Sequence, residues 1–269
     1  SEMGNGMGLQ GSVGEMSREA VFGDFDDDGD LDLFVVNGNA ENKMYLNKRQ
    51  GSFEATEIPG ELANPSGSLS AVAGDFNNDG KLDLAIASSS GISLRLFVNK
   101  GDGEFEPFVD PGSAFNKLDQ VKINDLEFID FDNDGDVDIL ITNRGMANEI
   151  CLNAGDGTFP TAIPFGNRDD STIDVAVADM NADGAPDLIL ANRDAQPNYV
   201  YWNDGTLGFT EKTPFGTGSD NTRSVSVADV NQDGLPDILT AQIGAPNAVY
   251  FGDRAAPFTQ TQVFDPEPD

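Results

Sequence analysis

Residues 24–33 read DFDDDGDLDL, six aspartates among ten residues. Two carboxylates about 5 Å apart repel by roughly 3 kcal/mol at an effective dielectric near 20. A folded chain holds such a cluster only if a cation or a set of hydrogen-bond donors offsets that repulsion. The stretch also has relatives within the same chain. DFNNDGKLD starts at Asp75, DFDNDGDVD at Asp130, DMNADGAPD at Asp179 and DVNQDGLPD at Asp229. The spacings are 51, 55, 49 and 50 residues, and a steady period of about 50 marks a repeat architecture.

The residues around each loop repeat as well. A short apolar run with small residues precedes it (AVFG, AVAG, LEFI, VAVA, VSVA). A second run follows (LDLFVVN, LDLAIAS, VDILITN, PDLILAN, PDILTAQ), then a third (KMYLN, LRLFVN, EICLN, YVYWN, AVYFG). A turn then leads into a Phe-led fourth run (GSFEATEI, GEFEPFV, GTFPTAI, LGFTEKT, APFTQTQ). Runs this short, rich in β-branched and aromatic residues and bounded by Asn, Asp and Gly, read as strands joined by tight turns. No window sustains a helical period. Four strands per repeat and five repeats predict an all-β β-propeller of about five four-stranded blades. The blades fall at about 17–60, 66–112, 123–166, 171–216 and 222–264. Residues 1–16 form a Gly-rich segment outside the repeat, and 265–269 an acidic tail.

Each loop follows D-x-[DN]-x-D-G-x-x-D, an oxygen-rich spacing suited to Ca²⁺, a hard cation that takes six to eight oxygens. The expected side-chain ligands are Asp24, Asp26, Asp28 and Asp32; Asp75, Asn77, Asp79 and Asp83; Asp130, Asp132, Asp134 and Asp138; Asp179, Asn181, Asp183 and Asp187; Asp229, Asn231, Asp233 and Asp237. The seventh residues (Asp30, Lys81, Asp136, Ala185, Leu235) vary in type, as main-chain carbonyl ligands can. The sixth is always Gly, where the chain must turn sharply. An EF-hand would need Glu at the twelfth position, but Val35, Ile86, Ile141, Leu190 and Thr240 stand there. The plainer reading, five acidic hairpin turns, explains the residue types but not five identical spacings. About five Ca²⁺, one per repeat, are therefore expected. Phe25 and Leu31, between the ligands, are expected to point into the packing between blades.

This loop, set between the first two strands of a four-stranded repeat, resembles the FG-GAP/VCBS type of β-propeller, in which integrin α-chain heads, several lectins and many secreted bacterial proteins are built. The resemblance covers about residues 17–264. It implies one structural calcium in the hairpin between the inner strands of each blade, held by the residues just named. Propellers of that type commonly have seven blades, and this chain has five repeats.

Composition narrows the function. There are 47 acidic and 15 basic residues, a net charge of −32. Nucleic acid and anionic membrane surfaces both need basic patches, so neither is an expected partner. No apolar run approaches a membrane span. Histidine is absent and Cys151 is the one cysteine. That leaves no disulfide and no histidine general base, so no enzyme is expected, with a carboxylate-pair glycosidase or a lyase as the remaining catalytic alternative. No signal peptide is present, and the start at Ser1 suggests a trimmed form.

The hairpins at the other end of each blade (NGNAEN, SSSGIS, NRGMAN, NRDAQPN, QIGAPN) form the candidate ligand face, with Arg18, Arg144, Arg193 and Arg223 as candidate ligand-binding residues. Arginine there suits a carboxylate or sugar hydroxyls; the plainer reading pairs it with Asp169, Asp170 or Asp194. Tyr199, Tyr201, Trp202 and the repeated Phe53, Phe105, Phe159, Phe209 and Phe258 are expected in packing rather than at a sugar site. The favoured function is a non-catalytic, calcium-stabilised extracellular or cell-surface propeller that recognises a glycan or an extracellular protein. The alternatives are a subunit that self-assembles into an oligomer or filament through its termini and lateral faces, and a polysaccharide-processing enzyme.

Overall fold

The computed structural model describes residues 14–49, 51–63, 67–89, 93–109, 123–167 and 169–264. The expectations for residues 1–13 and 265–269 lie outside these residues.

The described chain holds five four-stranded antiparallel sheets. The first blade is β1 (Ser17–Gly23), β2 (Asp32–Asn37), β3 (Lys43–Asn47) and β4 (Phe53–Thr56). A single helical turn, α1 (Gly60–Ala63), follows it. The second is β5 (Ser68–Gly74), β6 (Asp83–Ser88), β7 (Leu94–Gly101) and β8 (Glu104–Phe108). The third is β9 (Ile123–Ile129), β10 (Asp138–Asn143), β11 (Asn148–Leu152) and β12 (Thr161–Phe165). The fourth is β13 (Thr172–Ala178), β14 (Asp187–Asn192), β15 (Gln196–Trp202) and β16 (Glu211–Asp220). The fifth is β17 (Thr222–Ala228), β18 (Asp237–Gln242), β19 (Asn247–Tyr250) and β20 (Thr261–Phe264). Strands pair in sequence order within each sheet, so every connection is a hairpin. This is the all-β, five-bladed arrangement with four strands per blade.

The chain divides into two compact units: the described residues up to Ile141 with Glu149–Ile163, and Thr142–Asn148 with the described residues from Pro164. Second strands are the most buried. Every residue of β6, β10 and β14 is buried, which fits strands with a partner on each edge and packing on both faces. Outer strands are more open: β4 has only exposed and partly buried residues, and β12 buries Phe165 alone.

Within the first unit, the second residue of each loop enters the core. Phe25, Phe76 and Phe131 are buried, and Phe25 meets Phe105 edge-on at 5.9 Å between centroids. Phe76 lies 6.3 Å from Phe159. The glycine that ends β1 and β5 is needed for close approach: a Cβ on Gly23 would lie 2.8 Å from Leu82 Cδ1, and one on Gly74 2.8 Å from Phe128 Cδ2. The first unit thus packs large side chains of one blade onto the glycine of the blade before it. Leu82, the eighth loop residue, takes that place in the second repeat. Its counterpart Leu31, expected in the packing, is 60% exposed, because the first repeat has no preceding blade among the described residues. In the second unit Met180, Phe215, Tyr250 and Phe258 share one core cluster, and Trp202 packs against it.

The first strands β1, β5, β13 and β17 also share a bulge that sequence patterning does not reveal. Their register shifts between Ser17 and Glu19, Ser68 and Ser70, Thr172 and Asp174, and Thr222 and Ser224. The residue after the bulge reaches the next blade: Glu19 accepts a hydrogen bond from Ala71 N at 2.8 Å, and Asp174 from Val225 N at 2.8 Å. Just before β1, Gly14–Met16 lie on the first blade's own β2–β3 hairpin. Met16 N donates to Asn39 Oδ1, Asn39 Nδ2 donates to Gly14 O, and Lys43 pairs with Glu15 at 2.8 Å.

Candidate metal centres

The five loops have one backbone path. The fourth residue is left-handed in each: Asp27, Asn78, Asn133, Ala182 and Gln232 have φ between 59° and 62°. The sixth, always Gly, has φ between 87° and 98°, and where no Cβ would clash, as at Gly29, the dihedral alone selects glycine. This path turns the loop N–H groups inward, onto the side chains expected as ligands. Asp24 accepts from Asp28 N and Gly29 N, both at 3.0 Å. Asp75, Asp130, Asp179 and Asp229 hold the fifth and sixth N–H groups of their loops in the same way. Asn77, Asp132, Asn181 and Asn231 accept from the fifth N–H. Asp28, Asp79, Asp134, Asp183 and Asp233 accept from the N–H of the seventh residue, Asp30, Lys81, Asp136, Ala185 and Leu235 respectively. The side chains are thereby oriented by the loop itself.

The carboxylate oxygens of Asp24, Asp26 and Asp28 lie within 4.8 Å of one another, as do those of Asp130, Asp132 and Asp138. These two loops have aspartate at the third position, where the other three have asparagine. In the first, Asp26 Oδ1 is buried with no hydrogen-bond partner, while Oδ2 meets Lys48 Nζ at 3.3 Å. A buried anionic oxygen without a donor is unfavourable, and three converging carboxylates fit a hard divalent cation. Lys48 and Arg49, from the β3–β4 turn, offset part of this charge at Asp26 and Asp30. Sequence reasoning missed them, because the turn is distant in sequence from the loop.

The ninth residue is the part of the motif that the structure enlarges most. Asp32, Asp83, Asp138, Asp187 and Asp237 are fully buried. In four of them Oδ2 accepts from the N–H of the second loop residue: Phe25 (2.8 Å), Phe131 (2.9 Å), Met180 (2.9 Å) and Val230 (2.9 Å). In all five, Oδ1 accepts from the residue after the third-strand core: Asn47, Asn99, Asn153, Asn203 and Gly252, at 2.7–2.8 Å. Burial pushes the carboxyls of Asp32, Asp83, Asp138 and Asp187 above the usual range, against their backbone donors and with added repulsion from loop aspartates. Asp83 rises to about 7, and Asp138 and Asp187 to about 6. Asp32 is raised for the same leading reason. The asparagines extend the latch. Asn99 Nδ2 donates to Leu82 O and to Phe25 O of the preceding blade. Asn153 Nδ2 donates likewise to Val137 O and Phe76 O. The repeated "N" at the end of KMYLN, LRLFVN and EICLN was the available signal.

At the other end of the blades, amides close the hairpins. Asn37, Asn143, Asn192 and Gln242 donate their N–H to the Oδ1 of Asn42, Asn148, Asn198 and Asn247. Arg144 is bidentate to Asp194 at 2.8–3.2 Å, the pairing the plainer reading named. Arg18 and Arg223 are exposed at equivalent bulges of β1 and β17, and Arg193 is half-buried. Of the aromatic residues, Phe105, Phe159, Phe258 and Tyr201 are buried, while Tyr199 is partly exposed beneath the Lys212 ammonium, 3.7 Å from its ring centroid.

Among curated proteins the chain is similar to cartilage acidic protein 1. It is 28% identical to the mouse protein and 27% to the human one, over 194 residues in each case. The match covers 63% of this chain, which spans little more than a quarter of the relatives' length (28% and 27%). Among solved structures it superposes on an Agrocybe aegerita lectin, described as specifically recognising non-reducing terminal N-acetylglucosamine. The TM-score is 0.65 and the identity 17%, over 92% of this chain and 66% of that one. Chaetomium thermophilum Raptor follows at TM-score 0.55 and 15% identity, over 94% of this chain and 21% of that one. Both likenesses concern the fold alone. The description "FG-GAP-like repeat" matches at residues 24–86, 75–127, 130–190 and 179–240. These segments begin at the aspartates that open the first four loops, and with them the chain belongs to the FG-GAP-like repeat family.

Proposed function

We propose that the chain is a non-catalytic recognition module of the cell exterior, that each of its five loops holds one Ca²⁺, and that its ligand is a glycan. The observation that carries the calcium assignment is the shared loop geometry. All five loops orient their first and fifth side chains, and four of them their third, by hydrogen bonds from their own backbone, while Asp26 Oδ1 in the first is left buried without a donor. Asp24, Asp26 and Asp28 would hold the ion in the first loop, and the equivalent residues in the others. The ninth aspartate both borders the site and latches the third strand. The ion supplies positive charge that keeps the carboxylates ionised and closes the hairpin. Sites of this kind with dissociation constants of about 10⁻⁴–10⁻³ M suit extracellular calcium.

A non-catalytic role fits the chemistry left to the chain. It has no histidine, and burial pushes the Cys151 thiol up to about 12, which disarms it as a nucleophile. Among the described residues no helix is long and apolar enough to cross a membrane. The glycan assignment is supported by the fold shared with a lectin. Calorimetric titration of Ca²⁺ into EDTA-stripped protein tests the metal assignment: about five equivalents are expected, and none would overturn it. A glycan array in calcium buffer tests the ligand class.

One observation favours a second reading, self-assembly. The outer strand β20 is exposed at all four residues, with Val263 53% and Phe264 48% exposed. An apolar edge strand is a template for pairing with another chain. Sedimentation velocity decides it: a concentration-dependent increase in mass supports assembly, and a constant monomer mass excludes it.

A further inference from the structure

The second unit contains a cleft of about 340 Å³ lined by Met180, Trp202, Leu235, Asp253, Arg254 and Phe258. It lies where the repeat departs from its own rule. In the first unit the equivalent cleft, between the loops of the first two blades, measures about 160 Å³. There Asn99 projects into the space and bonds Phe25 O and Leu82 O. In the fifth blade that residue is Gly252, which keeps the main-chain bond to Asp237 at 2.8 Å but has no side chain. A Cβ on Gly252 would lie 2.5 Å from Pro236 O, so the backbone path itself excludes the filling side chain.

We infer that this cleft is a binding site for one neutral pyranose residue, an assignment that rests on the glycan reading above and gives it a place. Three features define the ligand. Trp202 is half-buried, its indole N–H already donates to Thr213 Oγ1 at 2.9 Å, and its ring lies nearly parallel to Phe258, at 13° and 6.5 Å between centroids. The indole is thus held in one orientation and offers the cleft an apolar surface, which suits the C–H face of a sugar ring. Asp253 Oδ1 accepts from Ala255 N and Ala256 N at 2.7 and 2.9 Å, and these bonds fix its carboxylate. Arg254, an exposed side chain, lines the same cleft. A fixed acceptor and a planar donor lining one cleft match the hydroxyls of a sugar ring. An entirely apolar occupant would strip water from both groups without replacing its hydrogen bonds. An anionic occupant would meet Asp253, the acidic loops and the net charge of −32. The cavity volume falls in the range usual for small-molecule sites, about 300–1,000 Å³.

Trp202 is the chain's one tryptophan, so its emission reports on this cleft. The calcium-loaded full chain is titrated with N-acetylglucosamine, galactose, mannose and fucose, and with glucuronate as the charged comparison. At least one neutral sugar is expected to change the emission saturably, with glucuronate weaker by about tenfold. Arg254→Ala is expected to weaken that sugar at least about fivefold while leaving the melting temperature unchanged, since the side chain is exposed. No saturable response to any neutral sugar overturns the site, as does tighter binding of glucuronate or undiminished binding by R254A. Glycan-array binding with unchanged Trp202 emission would also remove this site, while leaving the recognition reading intact.

Discussion

Asp138→Ala separates the two roles of the ninth loop residue. The Asp138 carboxylate is fully buried and accepts from Phe131 N at 2.9 Å and Asn153 N at 2.8 Å. Alanine leaves both N–H groups buried without an acceptor, at about 1–3 kcal/mol each, or roughly 2–6 kcal/mol together. For a chain of this size, about 2–4 °C is lost per kcal/mol, so the melting temperature should fall by roughly 5–20 °C. The assay is a thermal melt by circular dichroism, run in millimolar Ca²⁺ and again in EDTA, beside Asp132→Ala. Asp132 sits at the loop's third position, and the backbone bond it accepts from Asp134 N is long at 3.3 Å. D132A should therefore destabilise in calcium and change little in EDTA, where it also relieves repulsion from Asp130 and Asp134. D138A should destabilise in both. A D138A melt within about 1 °C of the parent in EDTA would refute the latch, because two orphaned donors of the stated size cannot vanish.

Calcium-free protein should lose stability as pH rises from about 4 to about 7. Buried Asp83, Asp138 and Asp187 hold their protons in the folded chain up to about 7, 6 and 6, while the unfolded chain releases them near 3.8. EDTA melts across that window check the sign, and saturating Ca²⁺ should flatten or reverse the slope. Gly74→Val should destabilise by about 1–3 kcal/mol, since its Cβ would lie 2.8 Å from Phe128; an unchanged denaturant midpoint would contradict the close packing. Ala182→Gly should stabilise by up to about 1 kcal/mol, because alanine at φ 61° is strained and glycine is not. Arg144→Ala should move stability by no more than about 1 kcal/mol, since its pair with Asp194 is partly exposed on both sides.

The loop spacing made the architecture legible: five D-x-[DN]-x-D-G-x-x-D segments punctuate five sets of four strands, and the sheets fall where the apolar runs fall. Phe25, Phe76 and Phe131 were readable as packing residues because they alternate with the aspartates. Leu31 obeys the same alternation yet is exposed, since burial at its position depends on a neighbouring blade rather than on local pattern. The left-handed fourth residue was hidden because Ala182 and Gln232 carry no chemical mark of it. The asparagine pins at the opposite hairpins were visible as letters, but their use was not. Asn42, Asn148 and Asn198 end hairpins that read as the candidate ligand face, and each accepts a backbone N–H of its own blade.

The latch bears on what a calcium ion can do for the fold. A staple confined to one hairpin would stabilise that hairpin and little else. In the first unit the loop connects further. Asp83 closes the second loop and binds Asn99 N, while Asn99 Nδ2 binds Phe25 O in the blade before it. Asp138 and Asn153 repeat the arrangement one blade on, reaching Phe76 O. An ion that keeps the ninth aspartate ionised strengthens its backbone bonds, because bonds to a charged acceptor exceed neutral ones. That gain also fixes the asparagine that joins neighbouring blades. Calcium removal should therefore loosen contacts between blades as well as the loops, and hydrogen exchange reads this directly. The N–H groups of Asn99 and Asn153 should lose protection in EDTA together with Gly80 and Gly135, whereas a purely local staple would release the glycines alone.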